Sequence, residues 1–396
     1  MAATSFLDAY VGQDFYVPSF RVLVESKELR LETYDVLNVT YTDSLTEVDS
    51  FDLTVNNWDA GAGARDLDET AFKFSDADTF NPWKDVELWM GYLRDGQDER
   101  RRMLIGEITT MAPNFPTSGG STLTVRALNL FHRFRTKQDT KTFFNKTDSE
   151  IAQQLVNEIA DDVKKKVAGL ELKLVTGQQA EKPIPFLVMH NQFPIVFLLE
   201  RARRIGYELT MIEEPQGAKR VVTFFFRPTN DVNRSTYILE WGKSLISFQP
   251  TLQTANQVAE VVVRGWNPQG KEKFEEKATR ADLVKEGVVS PSDLAVTEPS
   301  LAQKLEVVAD RPIQTKAEAK ELALKTLRQL AQGLVEAKGK TFGLPDLRAG
   351  VKVAIKGLGT RFSGIYLVTS TTHSIGDGGY TTDFSARMEQ RLKEDS

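Results

Sequence analysis

The chain has 396 residues, 41% hydrophobic and 27% charged, with a net charge of −5, the make-up of a soluble globular protein with room for two or three domains. The acidic balance favours neither nucleic acid nor an anionic membrane, and the lack of cysteine excludes a disulfide framework and any thiolate metal site. Met1–Gln13 has no basic segment followed by a continuous apolar run, so no secretory signal is expected; the longest apolar runs, such as Ile195–Leu199, fall well short of the roughly 18 residues that span a bilayer.

In chain order, Phe20–Val24 reads as a short strand. Leu29–Tyr41 and Asp49–Val55 follow as strands, with Asp43 and Ser44 as turn residues between them. Glycine, alanine and aspartate cluster from Asn56 to Phe80, which predicts a long exposed loop. Strands resume at Val86. Arg94–Arg102 reads as a charged hairpin tip, and its acidic neighbours favour a solvated turn over a nucleic-acid patch. Residues 15–137 thus form one antiparallel domain.

Residues 138–235 read as a small α/β domain. Thr147-Asp-Ser-Glu150 is a capping box, and Ile151, Leu155, Ile159 and Val163 line one helix face. A second helix starts near Pro194, buries Ile195, Leu198, Leu199, Ala202 and Ile205, and stops at Gly206. Tyr207–Ile212 and Arg220–Phe226 form a hairpin across Pro215-Gln-Gly217. A second antiparallel domain spans 236–270 and 340–390, interrupted by an insertion over 271–339. The insertion holds an extended segment, a short helix around Arg280–Glu286, and a helix capped by Thr315-Lys-Ala-Glu318. That helix carries a stripe of Ala319, Leu322, Ala323, Leu327, Leu330 and Leu334 and ends at Gly339. Three closing strands follow between Gly350 and Met388. In the last, Tyr380, Thr382, Phe384, Ala386 and Met388 alternate with Thr381, Asp383, Ser385 and Arg387, placing the first set on the core face.

The two antiparallel domains read as copies of one another. Val86–Gly91 parallels Val351–Lys356, Leu104-Ile-Gly106 parallels Phe362-Ser-Gly364, and Thr122–Ala127 parallels Thr381–Ala386. Upstream, Leu53–Trp58 sits over Val261–Trp266 and Leu37–Tyr41 over Leu245–Gln249, an internal repeat that bears on the whole fold.

Little in the chain points to catalysis. His132, His190 and His373 stand far apart with no H-E-x-x-H or H-x-H spacing, so a metal site is not expected; His132 and His190 read as residues at element ends and His373 as part of a strand. Gly357-Leu-Gly359-Thr-Arg-Phe362 lacks the third glycine of a dinucleotide fingerprint and reads as a hairpin turn. The acidic pairs Asp161-Asp162, Glu213-Glu214 and Glu275-Glu276 could nominate a glycosidase, but each lies in a charged, solvated segment. Asn38, Asn145 and Asn233 open N-x-S/T triplets that carry no meaning without a secretion signal. Trp58 and Trp266 close strands at matching repeat positions and read as core or turn anchors, with a partner surface as the lesser alternative. No catalytic, cofactor or metal-binding residue is expected, and the chain reads as structural.

Gly206–Met211 after an amphipathic helix, Val261–Pro268, and the ending G-x-x-V-x-I-x-G-x-G-x-x-F-S-G-I-Y-L-V with its following histidine and Y-T-T-D-F resemble the phage late-control D and VgrG family over about residues 15–390. The resemblance implies an α+β, β-rich fold with two similar β-barrel, tube-like domains per chain and α/β domains attached. It implies a central baseplate hub of a contractile phage tail or contractile injection system. In such a homotrimer, six barrels join a hexameric inner tube protein to a spike amid other baseplate proteins, assembled in the bacterial cytoplasm into the tail particle. VgrG chains continue into an oligosaccharide-binding-like domain and a needle. This sequence stops after the second barrel, so a separate spike protein is expected. The alternatives are a peptidoglycan- or glycan-degrading tail enzyme and another tube or adaptor component.

Overall fold

The computed structural model describes residues 17–29, 35–45, 47–58, 72–94, 97–129, 131–132, 137–166, 170–177, 180–205, 207–216, 219–228, 237–255, 257–267, 270–285, 304–309 and 315–391. The chain is β-rich α+β. Its first part carries β1 (Val17–Val24), β2 (Lys27–Glu28), β3 (Val36–Ser44), β4 (Ser50–Asn56), β5 (Asp85–Arg94), β6 (Gln97–Asp98), β7 (Arg101–Asn114) and β8 (Thr122–Asn129). A middle unit follows with β9 (Asp139–Lys146), α1 (Asp148–Lys166), β10 (Leu170–Thr176), β11 (Ile184–Gln192), α2 (Pro194–Ile205), β12 (Tyr207–Gln216) and β13 (Lys219–Pro228). Next come β14 (Tyr237–Glu240), β15 (Leu245–Leu252), β16 (Glu260–Asn267), β17 (Glu272–Thr279), α3 (Arg280–Lys285), β18 (Leu305–Val308) and α4 (Lys316–Gln332). The chain closes with β19 (Val335–Phe342), β20 (Lys352–Lys356), the single helical turn α5 (Gly359–Phe362), β21 (Gly364–Gly376) and β22 (Gly379–Arg391).

Fourteen strands share one hydrogen-bonded sheet built from two runs of the same order. The first half runs β3-β4-β8-β7-β5-β1 and the second β15-β19-β22-β21-β20-β14. The halves meet where β21 pairs antiparallel with β3, His373 opposite Tyr41. One pairing differs in direction: β1 lies antiparallel to β5, and β14 parallel to β20. Irregularities also recur at matched points. β7 bulges at Thr109 against β8 and β21 at Thr369 against β22, and each bulge threonine donates its hydroxyl to the facing strand, Thr109 to Arg126 O (3.3 Å) and Thr369 to Ser385 O (3.1 Å). Leu37 in β3 and Ile246 in β15 are the bulged residues of a second matched pair.

These bulges set the equivalences and correct several drawn from sequence. Thr122–Ala127 does lie over Thr381–Ala386. Val86 matches Val353 and Leu104 matches Gly364, two residues from the sequence alignment, a slip that keeps every side chain on its face. Leu37–Tyr41 matches Ile246–Pro250, one residue on. The counterpart of β4 is β19, not Val261–Trp266. β16 belongs instead to a separate sheet, β17-β16-β18, inserted where the first half has only the short turn between β3 and β4. Its strand signal was sound; its partners, in β17 and β18, were not visible locally.

Each half rolls around its own core. Val22, Val39, Leu53, Leu88, Ile108 and Val125 share one cluster. Leu239, Leu245, Val353, Tyr366, Val368 and Phe384 share another. β14 and β15 stand at opposite ends of the second order, yet only Trp241–Ser244 separates them, and the Lys243 and Ser244 amides both donate to Glu240 O (3.1 and 3.0 Å). Six flat strands would hold their outer members about 24 Å apart, so the half must curl. The ladder path ends at β15 and β2; a single bridge from Trp241 to Leu245 links the end of β14 to the start of β15, and no ring of ladder pairings closes the sheet among the described residues.

The middle unit packs α1 and α2 against the sheet β10-β13-β12 and the hairpin-like pair β11-β9. Its capping box forms as read: Thr147 Oγ1 accepts from Glu150 N (3.2 Å) and Glu150 returns to Thr147 N (2.8 Å). Ile151 and Leu155 are buried; Val163 and Gly206 lie outside the described side chains and residues. In the insertion, α4 covers Val261, Val263 and Phe274 with Ala319, Ala323 and Leu327. The helix ends at Gln332 with Gly333 as its cap, not at Gly339. Gly339 sits inside β19 because the Phe384 ring lies over it; a Cβ there would meet Phe384 Cζ at 2.3 Å. Leu334, read as the helix's last apolar residue, joins the second-half core. The stretch read as extended beyond Lys271 contains β17, with Phe274 and Ala278 buried.

The Thr315 capping box is complete at both bonds. Thr315→Ala is expected to destabilise the insertion by about 1 kcal/mol, read as faster amide exchange in α4 with exchange in β21 unchanged.

Candidate functional site

Two segments read as solvated are folded inward. Of the arginines at the hairpin tip, Arg100 forks onto Asp98 (2.7 and 2.8 Å) and reaches Phe20 O (3.2 Å). The Arg102 side chain is 7% exposed, beside Glu87 at 3.8 Å and over the Trp89 ring at 5.5 Å. Arg101 is exposed, 3.7 Å from Asp346. An indole face and nearby carboxylates make burial of the planar guanidinium tolerable. Within the span read as a long loop, residues 59–71 lie outside the described residues. Beyond them Asn57 Oδ1 accepts from the Phe74 and Ser75 amides (3.1 and 3.0 Å), and Phe80 is buried.

The junction of the two halves holds the polar cluster of most interest. Asp43, read as a turn residue, is the buried next-to-last residue of β3. It accepts from the Thr371 hydroxyl and the Ala349 amide (3.1 Å), and Arg348 Nε lies 3.9 Å away. Arg348 also donates to Met103 O (2.9 Å) and lies 4.5 Å over the Tyr41 ring. Tyr41 donates to Asp49 (3.2 Å). His373 is fully buried between Leu347 O, 3.0 Å from Nε2, and the Tyr380 and Thr382 hydroxyls, 3.0 and 3.1 Å from Nδ1. A carbonyl only accepts, so Nε2 carries the proton and Nδ1 is the acceptor. Beside this cluster a cavity of about 690 Å³ is bounded by both halves and the middle unit, with Asp43, Asp49, Trp89, Met211 and Arg348 on its wall.

Burial, then the charge of Asp43, raises the Asp49 carboxyl to about 7 despite Arg348 and bonds from Asn129 and Tyr41. Burial, then Arg348, lowers His373 to about 3. The two pull stability in opposite directions. Between 3.8 and about 7 the folded chain holds a proton on Asp49 that the unfolded chain has lost, so that contribution falls as pH rises. Between about 3 and 6.5 the unfolded chain holds the extra proton, on His373, so that contribution rises with pH. Over the shared window the slopes, each about 1.4 kcal/mol per pH unit at most, offset one another. Asp49→Asn should therefore uncover a stability that climbs from roughly pH 4 to 6.5, where these two groups leave the parent nearly flat. Denaturant unfolding of both across that range, giving parallel curves, would refute this.

The histidines stay apart. His132 Nε2 faces Glu107 at 3.0 Å, His190 lies in β11, and His373 is sealed in the junction. Among the described residues no group of three or more His, Asp or Glu is arranged to hold a metal. Glu275 pairs with Arg264 (3.1 Å), Asp161 is exposed, and the side chains of Asp162, Glu213 and Glu214 lie outside those described. Gly357–Phe362 contains a helical turn, where a plain hairpin turn was expected. Trp58 and Trp266 are 40% and 54% exposed, so neither is a core anchor. Asp43 and Arg348 were missed by sequence reading; the only local trace was an aspartate that also suited a turn.

A duplicated, curled sheet with an α/β unit between its halves is a fold shared with phage tail proteins. The 43 kDa tail protein of prophage MuSo2 from Shewanella oneidensis superposes with a TM-score of 0.63 at 13% identity, over 93% of this chain and 98% of that one. A tail protein from Neisseria meningitidis MC58 gives 0.61 at 13% identity, over 94% and 97%. A chain of the Francisella PdpA–VgrG complex gives 0.57 at 9% identity, over 98% and 61%. No curated protein matches the chain in sequence. The chain belongs to the Alg8 N-terminal domain family, whose family model matches residues 15–377. No helix among the described residues is long and apolar enough to cross a membrane.

Proposed function

We propose that this protein is a structural hub of a contractile tail or injection particle. Three copies form a ring of six similar halves that joins a hexameric inner tube to a separate trimeric spike. The observation that carries this reading is the duplication, in which two six-strand runs of one order are joined edge to edge within one chain. A threefold assembly of such chains meets a sixfold partner with six near-equivalent surfaces, which three copies of a single unit could not do. Residues 17–129 and 237–252 with 335–391 would be the tube-like units. The middle unit and the insertion would face other baseplate proteins. The half-exposed outer row of β22, Thr381, Asp383, Ser385 and Arg387, would line a hydrated channel. The likeness in fold to tail proteins from Shewanella and Neisseria supports the setting. The test is the mass of the purified protein with its spike by light scattering at micromolar concentration. Three chains per spike trimer is the expected result, and a persistent monomer removes the reading.

A second reading is favoured by one observation: Asp43 and Asp49 share a cavity wall, and Asp49 titrates near neutrality, as a general acid would. Against it, Asp43 is occupied by Thr371, the Ala349 amide and Arg348, which leaves little of it for a nucleophile or base. Release of reducing sugar from cell walls, abolished in Asp49→Asn, would establish this alternative; no release would remove it.

A further inference from the structure

The middle unit leaves one strand edge open, and that edge lies in the cavity between the two halves. β12 ends the sheet β10-β13-β12 and has no strand on its outer side among the described residues. The Gly177 amide donates to Phe226 O (3.0 Å), so Phe226 turns its N–H and C=O toward β10, which lies parallel beside it. Leu209 stands opposite Phe226 in the antiparallel pair of β12 and β13. It is therefore in a non-hydrogen-bonded pair and turns its own N–H and C=O outward. By alternation Met211, opposite Phe224, does the same. Pro215 falls in the same outward set, where a residue without an N–H takes nothing from the ladder.

The cavity wall presents this edge. A strand showing one face to a cavity contributes every second residue, whereas Leu209, Thr210, Met211 and Ile212 all line this one. Those four residues run for about 13 Å, along a space of about 690 Å³ that is within the range of ligand sites. Its floor is apolar: Leu209 is buried in the core of the middle unit, Met211 packs against that core, and Phe131 of the same core lies on the wall. Its charges are already matched. Arg348 lies beside Asp43, Arg102 beside Glu87, and Arg100 forks onto Asp98. Burial keeps the Asp49 carboxyl protonated up to about 7. The more exposed Arg101 and Asp346 stand 3.7 Å apart. A charged side chain brought inside would lose its water without meeting a surplus of opposite charge, so an uncharged occupant complements this wall.

We infer that the cavity binds an extended, uncharged peptide segment of a partner protein, with apolar residues at alternate positions, as a fourth strand beside β12. Main-chain bonds to the outward groups of Leu209 and Met211 hold the segment, and its apolar side chains extend the core beside Phe131. The site lies within one chain, so it stands or falls independently of the hub reading.

Amide exchange on the purified chain is the first test. Leu209 and Met211 are expected to exchange at least tenfold faster than Thr210 and Ile212, whose amides bond to β13. Equal protection of all four would mean that the edge is already filled, and overturns the site. A displayed library of random heptapeptides is then selected against the same chain. The expected binders are uncharged with alternating apolar residues, and they slow exchange at Leu209 and Met211 at least tenfold. They should bind Met211→Pro at least tenfold more weakly and Met211→Leu as well as the parent. Met211→Pro removes an outward N–H and no bond to β13, so unchanged protection of β13 verifies that it folds; the exchange measurement on the parent needs no variant. Binders that leave exchange at Leu209 and Met211 unchanged, or a selection that enriches nothing over an unrelated protein, overturn the proposal. Enriched sequences that match a stretch of this chain would make the occupant a second copy and overturn the assignment to another protein.

Discussion

Arg348→Met is expected to lower stability by about 3 kcal/mol, the low end for removing one partner of a buried ion pair, because the Arg348 side chain is 22% exposed and stands 3.9 Å from Asp43. Arg348 supplies the positive charge that acts on Asp43's neighbours Tyr41 and Asp49, and its head group is held by Met103 O and the Tyr41 ring. Methionine fills most of the volume but removes the guanidinium charge beside the Asp43 carboxylate, which keeps its bonds from the Thr371 hydroxyl and the Ala349 amide. The cost comes from the lost opposite charge, not from lost packing. Arg348→Met with Asp43→Asn should therefore recover more than half of the loss, because the partner's charge goes too. Urea midpoints at constant slope measure both. A single-variant cost under about 1 kcal/mol would mean that the junction is open enough for water to solvate Asp43. The site joins the first and second halves, so the loss should appear in β3 and β21 together when amide exchange is followed by segment.

The second large effect concerns a glycine. Gly106 crosses β8 where any Cβ would lie 2.0 Å from Leu128 O and 2.7 Å from Leu128 C, with Asn129 Cα at 3.0 Å. These are backbone atoms on a paired strand, so no side-chain rotation relieves the clash. Gly106→Ala must push β7 and β8 apart, and about 3 kcal/mol or more should be lost. The change should also reach the middle unit, because Asn129 Oδ1 holds the Phe131 amide at 2.9 Å and Phe131 belongs to that unit's core. Gly119→Ala is the comparison: a Cβ there would have nothing within 4 Å, although its φ of +94° adds a local strain. Melting Gly106→Ala and finding it as stable as the parent would show that β7 and β8 do not approach each other this closely.

What could be read from residues in order was local. The alternation from Tyr380 to Met388 placed Tyr380, Phe384 and Ala386 in the core, where they are. Both capping boxes formed at the residues named for them, because a cap needs only a hydroxyl and a carboxylate three residues apart. The similarity between Thr122–Ala127 and Thr381–Ala386 was legible for the same reason: strand alternation survives in a short window. Gly339 was taken for a helix end because a glycine after an apolar stripe usually is one. The ring that occupies its missing side chain belongs to Phe384, far along the chain. Arg100 and Arg102 looked solvated among acidic neighbours, and nothing nearby announced that the face of Trp89 would shelter Arg102.

The sequence by itself determined the class of fold, the two capping boxes that start helices, and the presence of a repeat. Those depend on side chains within a few residues of one another. Only the tertiary structure decided that the repeat of β4 is β19, that the two halves share a sheet through β3 and β21, and that Asp43 is buried. In the junction, Asp43 meets Ala349 and Thr371 across more than 300 residues of chain. A residue type at one position says nothing about a partner so distant until the strands between them have been laid side by side. The closing strands therefore announced their own pattern, while the pairing of β21 with β3, which makes one chain present two joined halves, was settled by the fold.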